Sequence, residues 1–464
     1  MDTSMRLGTR RPRKKLRLIG IILLAASLVW VSWLALRVGP VPVVELTTDR
    51  SAVGAATGVV ARFSAPDPGL GSVRLELVQG DRVETLDSAI FERGSLVPWF
   101  RARGTREATL TGVVGTEVFD WLTKEDVVLR AVADRSAGIL RRPNPVVAEQ
   151  RLPVRLRPPR LEVLSSQHYG RQGGSGVVVY RVGETAVRSG VRAGRHESRG
   201  FPLEGGNFDE RFALYALPWN LGDESEIRLF AEDDAGNRVG QPFLDLFKPM
   251  PSRTDTIRLT DGFFERVVPA IAARTPGFDD SGSLLDQYLV INGELRQAEL
   301  DRVAALSAMS EPVFLWSGAF LQMPNTELKA NFAQVRSYLY QGREVDRQTH
   351  LGLDLASTAH APVPAPNSGR VVFAGWMTLY GNAVIVDHGY GLMSLCGHLS
   401  RVDVAEGDDV ERGQIVGASG ATGLAGGDHL HLEVFLHGQS VDPLEWLDPK
   451  WIDDNITSKL VSAP

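Results

Sequence analysis

The sequence predicts a mainly β protein with an N-terminal transmembrane helix, a helical connector and a C-terminal antiparallel β-sheet domain. An uncharged run follows a basic N-terminus, and helical periodicity is confined to one later stretch. Elsewhere short alternating strands are separated by turns that carry glycine, proline or aspartate. The 464 residues suffice for about three domains, and 43% hydrophobic with 23% charged residues is ordinary globular composition.

The N-terminal region, residues 1–40, joins a basic head to an apolar run. Residues 1–17 carry seven basic side chains and one acidic one. Residues 18–36 are uncharged, and as a helix they would span about 28 Å, close to the hydrocarbon core of a bilayer. Trp30 and Trp33 lie near the far end of this run, where indoles favour the membrane interface. The positive-inside rule predicts a single-pass inner-membrane protein with a cytoplasmic N-terminus and a periplasmic or extracellular body. The alternative is a cleaved signal peptide.

Charge and cysteine content argue against a nucleic-acid partner and an internal disulfide. With the basic head set aside, the remaining chain has a net charge of −12. Phosphate binding needs a basic surface, so we expect no nucleic-acid partner. Cys396 is the single cysteine, which rules out an internal disulfide and suits an exported chain in an oxidising compartment.

Two β-rich regions follow the apolar run, at residues 41–157 and 158–248. Residues 129–138 and 229–236 echo each other, each as a strand that enters an Asp-bearing turn closed by glycine. A spacing of about a hundred residues favours tandem β-sandwich domains of immunoglobulin-like type. Neither region shows a recognisable catalytic constellation, so we expect them to bind a protein partner or to act as spacers.

Residues 249–311 are predicted as a helical linker. From residue 256 onward apolar side chains recur at helical spacing, as at Phe263, Val267 and Ile271. The plain interpretation is an amphipathic connector. The alternative is a segment that covers the groove of the following domain and restrains it.

Residues 312–450 are predicted as an antiparallel sheet domain, and residues 451–464 as a C-terminal tail. Seven of the nine histidines fall in the last quarter of the chain. Two imidazoles and one carboxylate are a common ligand set for catalytic zinc, with water in the fourth position, and two further histidines would serve proton transfer. The candidates for these roles are His350, Asp354, His398, His429 and His431.

Strand alternation groups these candidates. Side chains two or four apart on a strand share a face, so His350 and Asp354 do so if residues 349–355 are extended. His429 and His431 share a face for the same reason. Glu433 follows on that face, where it would orient a histidine or stand as a surface carboxylate. The other histidines are placed outside the site: His388 in a hairpin turn, His360 and His437 in loops, and His168 and His196 in the second β-rich region.

The motifs extend beyond the candidates. His350-Leu-Gly-Leu-Asp354, Gly397-His-Leu399 and His429-Leu-His431 occur in this order. Matching segments lie at 362–365, 369–376, 380–382, 386–389, 413–417, 419–423 and 441–443. Residues 345–448 thereby resemble the lysostaphin-type (LytM-like, duplicated hybrid motif) zinc metallopeptidase domain, which cleaves peptide cross-links of bacterial cell walls.

The resemblance implies that His350, Asp354 and His431 bind one zinc ion per chain, and that His398 and His429 form the catalytic pair. One position departs from the family, which usually has tyrosine where this chain has Cys396. The thiol either approaches the groove or fills the core. Upstream, Tyr338 and Tyr340 are candidate oxyanion donors.

The sequence therefore predicts a membrane-anchored zinc endopeptidase that acts on peptidoglycan cross-links. The alternative is a non-catalytic activator or scaffold for other cell-wall hydrolases, because related domains that lack the ligands act in this way.

Overall fold

The computed structural model describes four stretches of the chain, residues 13–66, 69–92, 104–135 and 140–461. Of residues 13–16 only the backbone is described. Most of the predicted basic head (1–12), part of the strand echo (136–139) and the end of the predicted tail (462–464) lie outside the described residues. Strands dominate the remainder, so the predicted mainly β class is confirmed.

The predicted N-terminal apolar helix is also confirmed. Helix α1 spans Arg13–Leu36. Its segment Arg17–Leu36 has a mean hydropathy of 2.4, and none of it is buried. Among the described residues it is the one helix that is long and apolar enough to cross a membrane, by length and composition.

The chain divides into two compact units, Met1–Pro158 with Asp234–Asn237, and Pro159–Asp233 with Arg238–Pro464. The first contains two antiparallel sheets, of order β1-β2-β5 and β4-β3-β6-β7, around one core that includes Phe63, Leu75 and Leu129. The strands are β1 (Val43–Thr48), β2 (Thr57–Ser64), β3 (Ser72–Gln79), β4 (Arg82–Ile90), β5 (Glu107–Val114), β6 (Val127–Ala133) and β7 (Val146–Leu152).

The second unit begins with another pair of four-stranded sheets, of order β13-β14-β10-β8 and β12-β11-β15-β16, around Tyr180, Tyr215 and Leu229. Strands β17 and β9 form a separate parallel pair. The immunoglobulin-like type of both sandwiches stays a prediction. The strands are β8 (Leu161–Val163), β9 (Tyr169–Arg171), β10 (Ser175–Val182), β11 (Ala186–Ala193), β12 (His196–Arg199), β13 (Phe201–Pro202), β14 (Glu210–Ala216), β15 (Ile227–Asp233), β16 (Arg238–Gln241) and β17 (Leu246–Lys248).

This second sandwich shares a core with the C-terminal domain. Val177 and Leu214 pack in one buried cluster with Leu436 and Trp446. The buried Glu445 accepts hydrogen bonds from the Ser175 backbone N–H (2.8 Å) and hydroxyl (3.1 Å). Because apolar burial is continuous here, this sandwich and the C-terminal domain stabilise each other.

The predicted helical connector is confirmed over residues 261–308, with helices α2 (Asp261–Ala272), α3 (Leu284–Val290) and α4 (Arg296–Ala308). A π-helical turn, Ile291–Leu295, joins α3 to α4. Residues 256–259, expected to be helical, instead end strand β18 (Arg253–Leu259). The helix cannot start earlier because Thr260 caps it, with its side chain accepting the Phe263 N–H at 3.2 Å.

The C-terminal domain is built on an eight-stranded sheet of order β19-β22-β30-β26-β25-β24-β28, with β31 paired to β30. Two three-stranded sheets flank it, β18-β20-β21 and β23-β29-β27. Its strands are β19 (Glu327–Ala330), β20 (Gln334–Tyr340), β21 (Arg343–His350), β22 (Leu353–Ala356), β23 (Pro362–Pro364), β24 (Gly369–Met377), β25 (Gly381–Gly389), β26 (Leu392–Leu399), β27 (Arg401–Val402), β28 (Asp409–Val410), β29 (Ile415–Ala418), β30 (Leu430–Leu436) and β31 (Gln439–Val441).

The end of the chain differs from a simple tail. It forms α5 (Pro443–Leu447), α6 (Pro449–Ile452), a π-helical turn (Asp453–Thr457) and α7 (Ser458–Val461). Ile452 and Ile456 are buried against the sandwich core, so apolar packing orders this segment.

Candidate metal centre

Three adjacent strands of the large sheet, with the residue that precedes one of them, position four of the five predicted site residues. Asp354 in β22 pairs directly with His431 in β30. On the other side of β30, His431 pairs with Gly397 of β26, and His398 follows there. His429 precedes β30 in an isolated bridge with Gly420.

His350 reaches the site from a different sheet. It ends β21, whereas Asp354 lies in β22, so residues 349–355 are not one extended strand. The chain turns between them at Gly352, where a Cβ atom would lie 2.7 Å from the Nε2 and Cε1 atoms of His431. A side chain at this position would therefore displace the His431 ring.

His350, Asp354 and His431 form a compact donor set. The His350 Nε2 atom lies 2.9 Å from Asp354 Oδ1 and 3.2 Å from His431 Nδ1, and the His431 Nδ1 to Asp354 Oδ1 distance is 3.0 Å. Ligand atoms on tetrahedral zinc, at bonds of about 2.0–2.1 Å, are roughly 3.3 Å apart. The three residues could therefore hold a metal ion, and their chemistry fits zinc.

The outer nitrogen of each site histidine faces an oxygen acceptor. The Nδ1 atoms of His350, His398 and His429 lie 2.8–2.9 Å from the carbonyl oxygens of Asn331, Thr422 and Gly427, respectively. A carbonyl oxygen only accepts, so each Nδ1 carries the proton and each Nε2 keeps its lone pair. In His431 the two nitrogens exchange these roles, because here it is Nε2 that faces an oxygen acceptor, Glu433 Oε2, at 3.2 Å.

The electrostatics of the cluster favour an anionic carboxylate among imidazoles. Burial opposes ionisation of Asp354, yet its close contacts with the imidazoles of His350, His429 and His431 hold its pKa well below the usual range. Burial also lowers the pKa values of His350 and His398. For His431, the adjacent carboxylates of Asp354 and Glu433 outweigh burial and raise the pKa to about 9.

The predicted catalytic pair lies beside the donor set. The ring centroids of His398 and His429 are 4.8 Å apart, and His429 Nε2 is 3.5 Å from Asp354 Oδ1. His398 has a φ of 61°, which is uncommon outside glycine and marks local backbone strain.

Cys396 fills the core. It is 1% exposed, packs with Val384 and Leu432, and does not line the cavity described below. Burial raises the pKa of its thiol to about 12, so it stays protonated.

Two predictions outside the site need correction. His388 lies in β25, not in a hairpin turn, and is fully buried, with its nitrogens 2.7 Å from Ser368 O and 2.8 Å from Ser394 Oγ. Glu433 is 1% exposed and so is not a surface carboxylate, because Tyr380 and Ser440 cover it.

Arg336 is a site residue that sequence reasoning missed. It lies in β20, and its Nη2 atom donates to Asp354 Oδ2 at 2.7 Å, which leaves Oδ1 facing the histidines. Tyr338, two residues further on, shares its strand and also lines the cavity. Tyr340 instead donates to Asp261 Oδ1 at 2.6 Å. Arg336 could have been found from the sequence if a hairpin across residues 334–350 had been predicted, because that hairpin pairs its strand with the strand that ends at His350.

The site opens into a cavity of about 260 Å³ whose far wall is the connector. Ile257 and Leu259 from β18, with Phe263, Tyr288 and Arg296 from the helices, face the histidines across it. We call residues 253–308 the cover segment. His350, His398 and His431 are each at most 6% exposed, and side chains of the cover segment form part of the cavity wall.

Comparison with known proteins identifies the domain around this site. The sequence model of peptidase family M23 matches residues 348–443. The DD-carboxypeptidase/endopeptidase Mpg of Neisseria meningitidis serogroup B is 41% identical over 95 residues, which are 20% of this chain and 22% of the relative. The murein hydrolase activator EnvC of Escherichia coli is 36% identical over 96 residues, 21% of this chain and 23% of the relative.

Among solved structures, the catalytic domain of the antimicrobial peptidase lysostaphin from Staphylococcus simulans is 28% identical, covers 28% of this chain and 98% of that domain, and has a TM-score of 0.24. The chain spans about a fifth of the length of the curated relatives it matches. Residues 348–443 form a peptidase family M23 domain, which confirms the predicted resemblance.

Proposed function

We propose that this chain is a membrane-anchored, zinc-dependent endopeptidase that cleaves peptide cross-links of peptidoglycan. The observation that supports it most is the convergence of one ligand atom each from His350, Asp354 and His431 within 4.8 Å. The peptidoglycan substrate is supported by the M23 domain and by its similarity to a DD-carboxypeptidase/endopeptidase.

One zinc ion held by His350, Asp354 and His431 would supply the positive charge that polarises the scissile carbonyl and acidifies water. The chain itself would supply the proton transfers. His398 and His429 each direct an Nε2 lone pair away from the carbonyl oxygen that fixes the ring. Between them, they accept a proton from the attacking water and then stabilise the oxyanion or protonate the leaving amine. The 4.8 Å separation of their rings allows both to reach one peptide bond.

Zinc analysis and digestion of purified peptidoglycan test this proposal with the full chain in detergent. The wild type should bind one zinc ion and release muropeptides, whose masses identify the bond cut. His431→Ala should lose both properties. His360→Ala is the matched control because His360 lies in an exposed loop, 3.5 Å from Asp428 and outside the donor set. Equal release by wild type and His431→Ala would refute a metal-dependent activity.

A second candidate is a non-catalytic activator of another wall hydrolase. The similarity to a protein named murein hydrolase activator and the presence of cover-segment side chains in the wall of the cavity favour it. It predicts a zinc content near zero in chelator-free protein, together with faster peptidoglycan release when the chain is added to a purified murein hydrolase. A zinc content of one with hydrolysis by the chain alone would rule it out.

The anchor belongs to the same proposal. The uncovered apolar segment Arg17–Leu36 follows a basic head, so we propose that it crosses the inner membrane with the N-terminus in the cytoplasm. Sequencing the N-terminus of the mature protein separates an anchor from a cleaved signal peptide. Protease treatment of spheroplasts should then degrade the body of the chain, whereas a protected body would contradict this orientation.

A further inference from the structure

Glu433 is a buried carboxylate, and each of its two oxygen atoms has a named hydrogen-bond partner. Its Oε1 atom accepts from the Ser440 hydroxyl at 2.6 Å, and its Oε2 atom accepts from the Tyr380 hydroxyl at 2.8 Å. The same Oε2 atom lies 3.2 Å from His431 Nε2. Glu433 and Tyr380 are 1% and 3% exposed, so water does not compete for these contacts.

These contacts decide where His431 carries its proton. An ionised carboxylate has no proton to give, so His431 Nε2 must be the donor in its contact with Glu433. The Nδ1 atom of the ring is then the one that faces His350 and Asp354, at 3.2 and 3.0 Å. The opposite tautomer would place the hydrogen of Nδ1 among the ligand atoms, and the ring could not complete the set.

The charge of Glu433 has no other described partner. Among the described residues, no Lys or Arg side chain lies within 4.0 Å of it, since Arg336 pairs with Asp354 instead. Two hydroxyls satisfy a buried carboxylate only in part, and burying a charge without a counter-charge is unfavourable. The two hydroxyls are neutral donors, so they do not supply a counter-charge at this position.

We infer that Glu433 is a positioning residue for His431: its carboxylate holds the ring so that Nδ1 completes the metal-binding set, and its charge makes the imidazole a stronger ligand. This inference rests on the metal site of the proposed function. Partners of this kind commonly orient metal-binding histidines and raise their basicity. The other histidine of the set is His350, and the partner of its outer nitrogen is the neutral Asn331 carbonyl. The carboxylate of Glu433 therefore acts on His431 alone.

The test compares Glu433→Gln with Glu299→Gln in the full chain in detergent. Glu299 is the matched control because it is also buried (8% exposed) and also accepts from a hydroxyl, that of Thr378 at 2.7 Å. No contact between Glu299 and a histidine is present in the described part of the chain. Zinc affinity is measured by competition with a chromophoric chelator, the ligand geometry by the visible spectrum of the cobalt-loaded protein, and folding by calorimetry of the metal-free protein.

We expect Glu433→Gln to weaken zinc binding by about tenfold or more and to change the cobalt spectrum. Glu299→Gln should stay within about threefold of the wild type with an unchanged spectrum. Equal losses in both variants, or wild-type affinity in Glu433→Gln, would overturn the inference and leave the proposed hydrolase intact. A wild type that binds zinc but does not hydrolyse peptidoglycan would refute the proposed function, and the zinc affinities of the two variants would still decide the inference. A wild type that binds no metal would refute both.

A second measurement covers the case in which Glu433→Gln does not fold. With only nine histidines in the chain, selective ¹⁵N-histidine labelling gives a tractable spectrum of the wild type. In the zinc-loaded protein His431 should be protonated at Nε2 and not at Nδ1, and the opposite tautomer would overturn the inference.

Discussion

We expect removal of one contact of the cover segment to open the site. Arg274, at the end of α2, donates from Nη2 to Asn382 Oδ1 at 3.0 Å. Its guanidinium also lies 3.9 Å from the ring centroid of Trp376. Trp376 lies in β24 and Asn382 in β25 of the large sheet, so Arg274→Ala weakens the closed state without altering any predicted ligand or catalytic residue.

The size of the effect follows from these two contacts. An exposed cation–π contact contributes about 0.5–1 kcal/mol. A hydrogen bond contributes about 1 kcal/mol net at an exposed position. A total of about 1.5 kcal/mol corresponds to roughly a tenfold increase in the open fraction, provided that the closed state dominates.

Two assays should report this increase independently. Muropeptide release should rise about tenfold, and zinc removal by excess chelator should accelerate by a similar factor, because both require an open site. The second assay does not depend on catalysis. Arg258→Ala is the control, because Arg258 is an exposed arginine of β18 that makes no ion pair or ring contact with any described residue. If the two variants are indistinguishable in both assays, the cover segment does not restrict access.

Three further predictions concern the site and the shared core. His431→Ala should reduce zinc content from one to near zero by elemental analysis, whereas His360→Ala should keep one zinc. Gly352→Ala places a Cβ atom 2.7 Å from the His431 ring and should weaken zinc binding by about tenfold or more in a chelator competition, whereas Gly262→Ala, with open space around it, should not. Burial raises the pKa of Glu445 to about 8 from an ordinary value of 4.5. Folding therefore favours the protonated form of Glu445. Its contribution to the free energy of unfolding is fully present below pH 4.5 and is lost as the pH rises towards 8. Calorimetry should show the wild-type Tm falling relative to that of Glu445→Gln between about pH 5 and pH 8, and a rise would contradict the assignment.

The elements that local patterns specify could be predicted from the sequence. An uncharged run is enough to indicate the apolar helix, and a helical repeat is enough to indicate the connector. The ligand motifs could be recognised because each candidate sits in a short glycine-containing sequence, and all five predicted residues meet in the structure. Residues 256–259 were assigned to the helical stretch, although their alternation and their pairing with β20 are those of a strand.

Contacts between distant strands could not be predicted in this way. Alternation correctly placed Glu433 on the face of His431, but it does not say whether Tyr380 and Ser440 cover that face. Arg336 reaches Asp354 only because the β20–β21 hairpin places it beside the large sheet. The core that the second sandwich shares with the C-terminal domain likewise depends on packing between Val177, Leu214 and Trp446. The sequence near each of these residues does not indicate this packing.

The amino-acid order thus specifies which side chains are available for chemistry and which stretches become helix or strand, because these depend on neighbours a few residues apart. Folding in three dimensions decides which nitrogen of His431 faces His350 and Asp354, and whether the cavity is open or covered. These outcomes depend on contacts of 3.0–3.2 Å between residues as far apart in the sequence as His350 and His431, and only the packed sheets and helices set such distances.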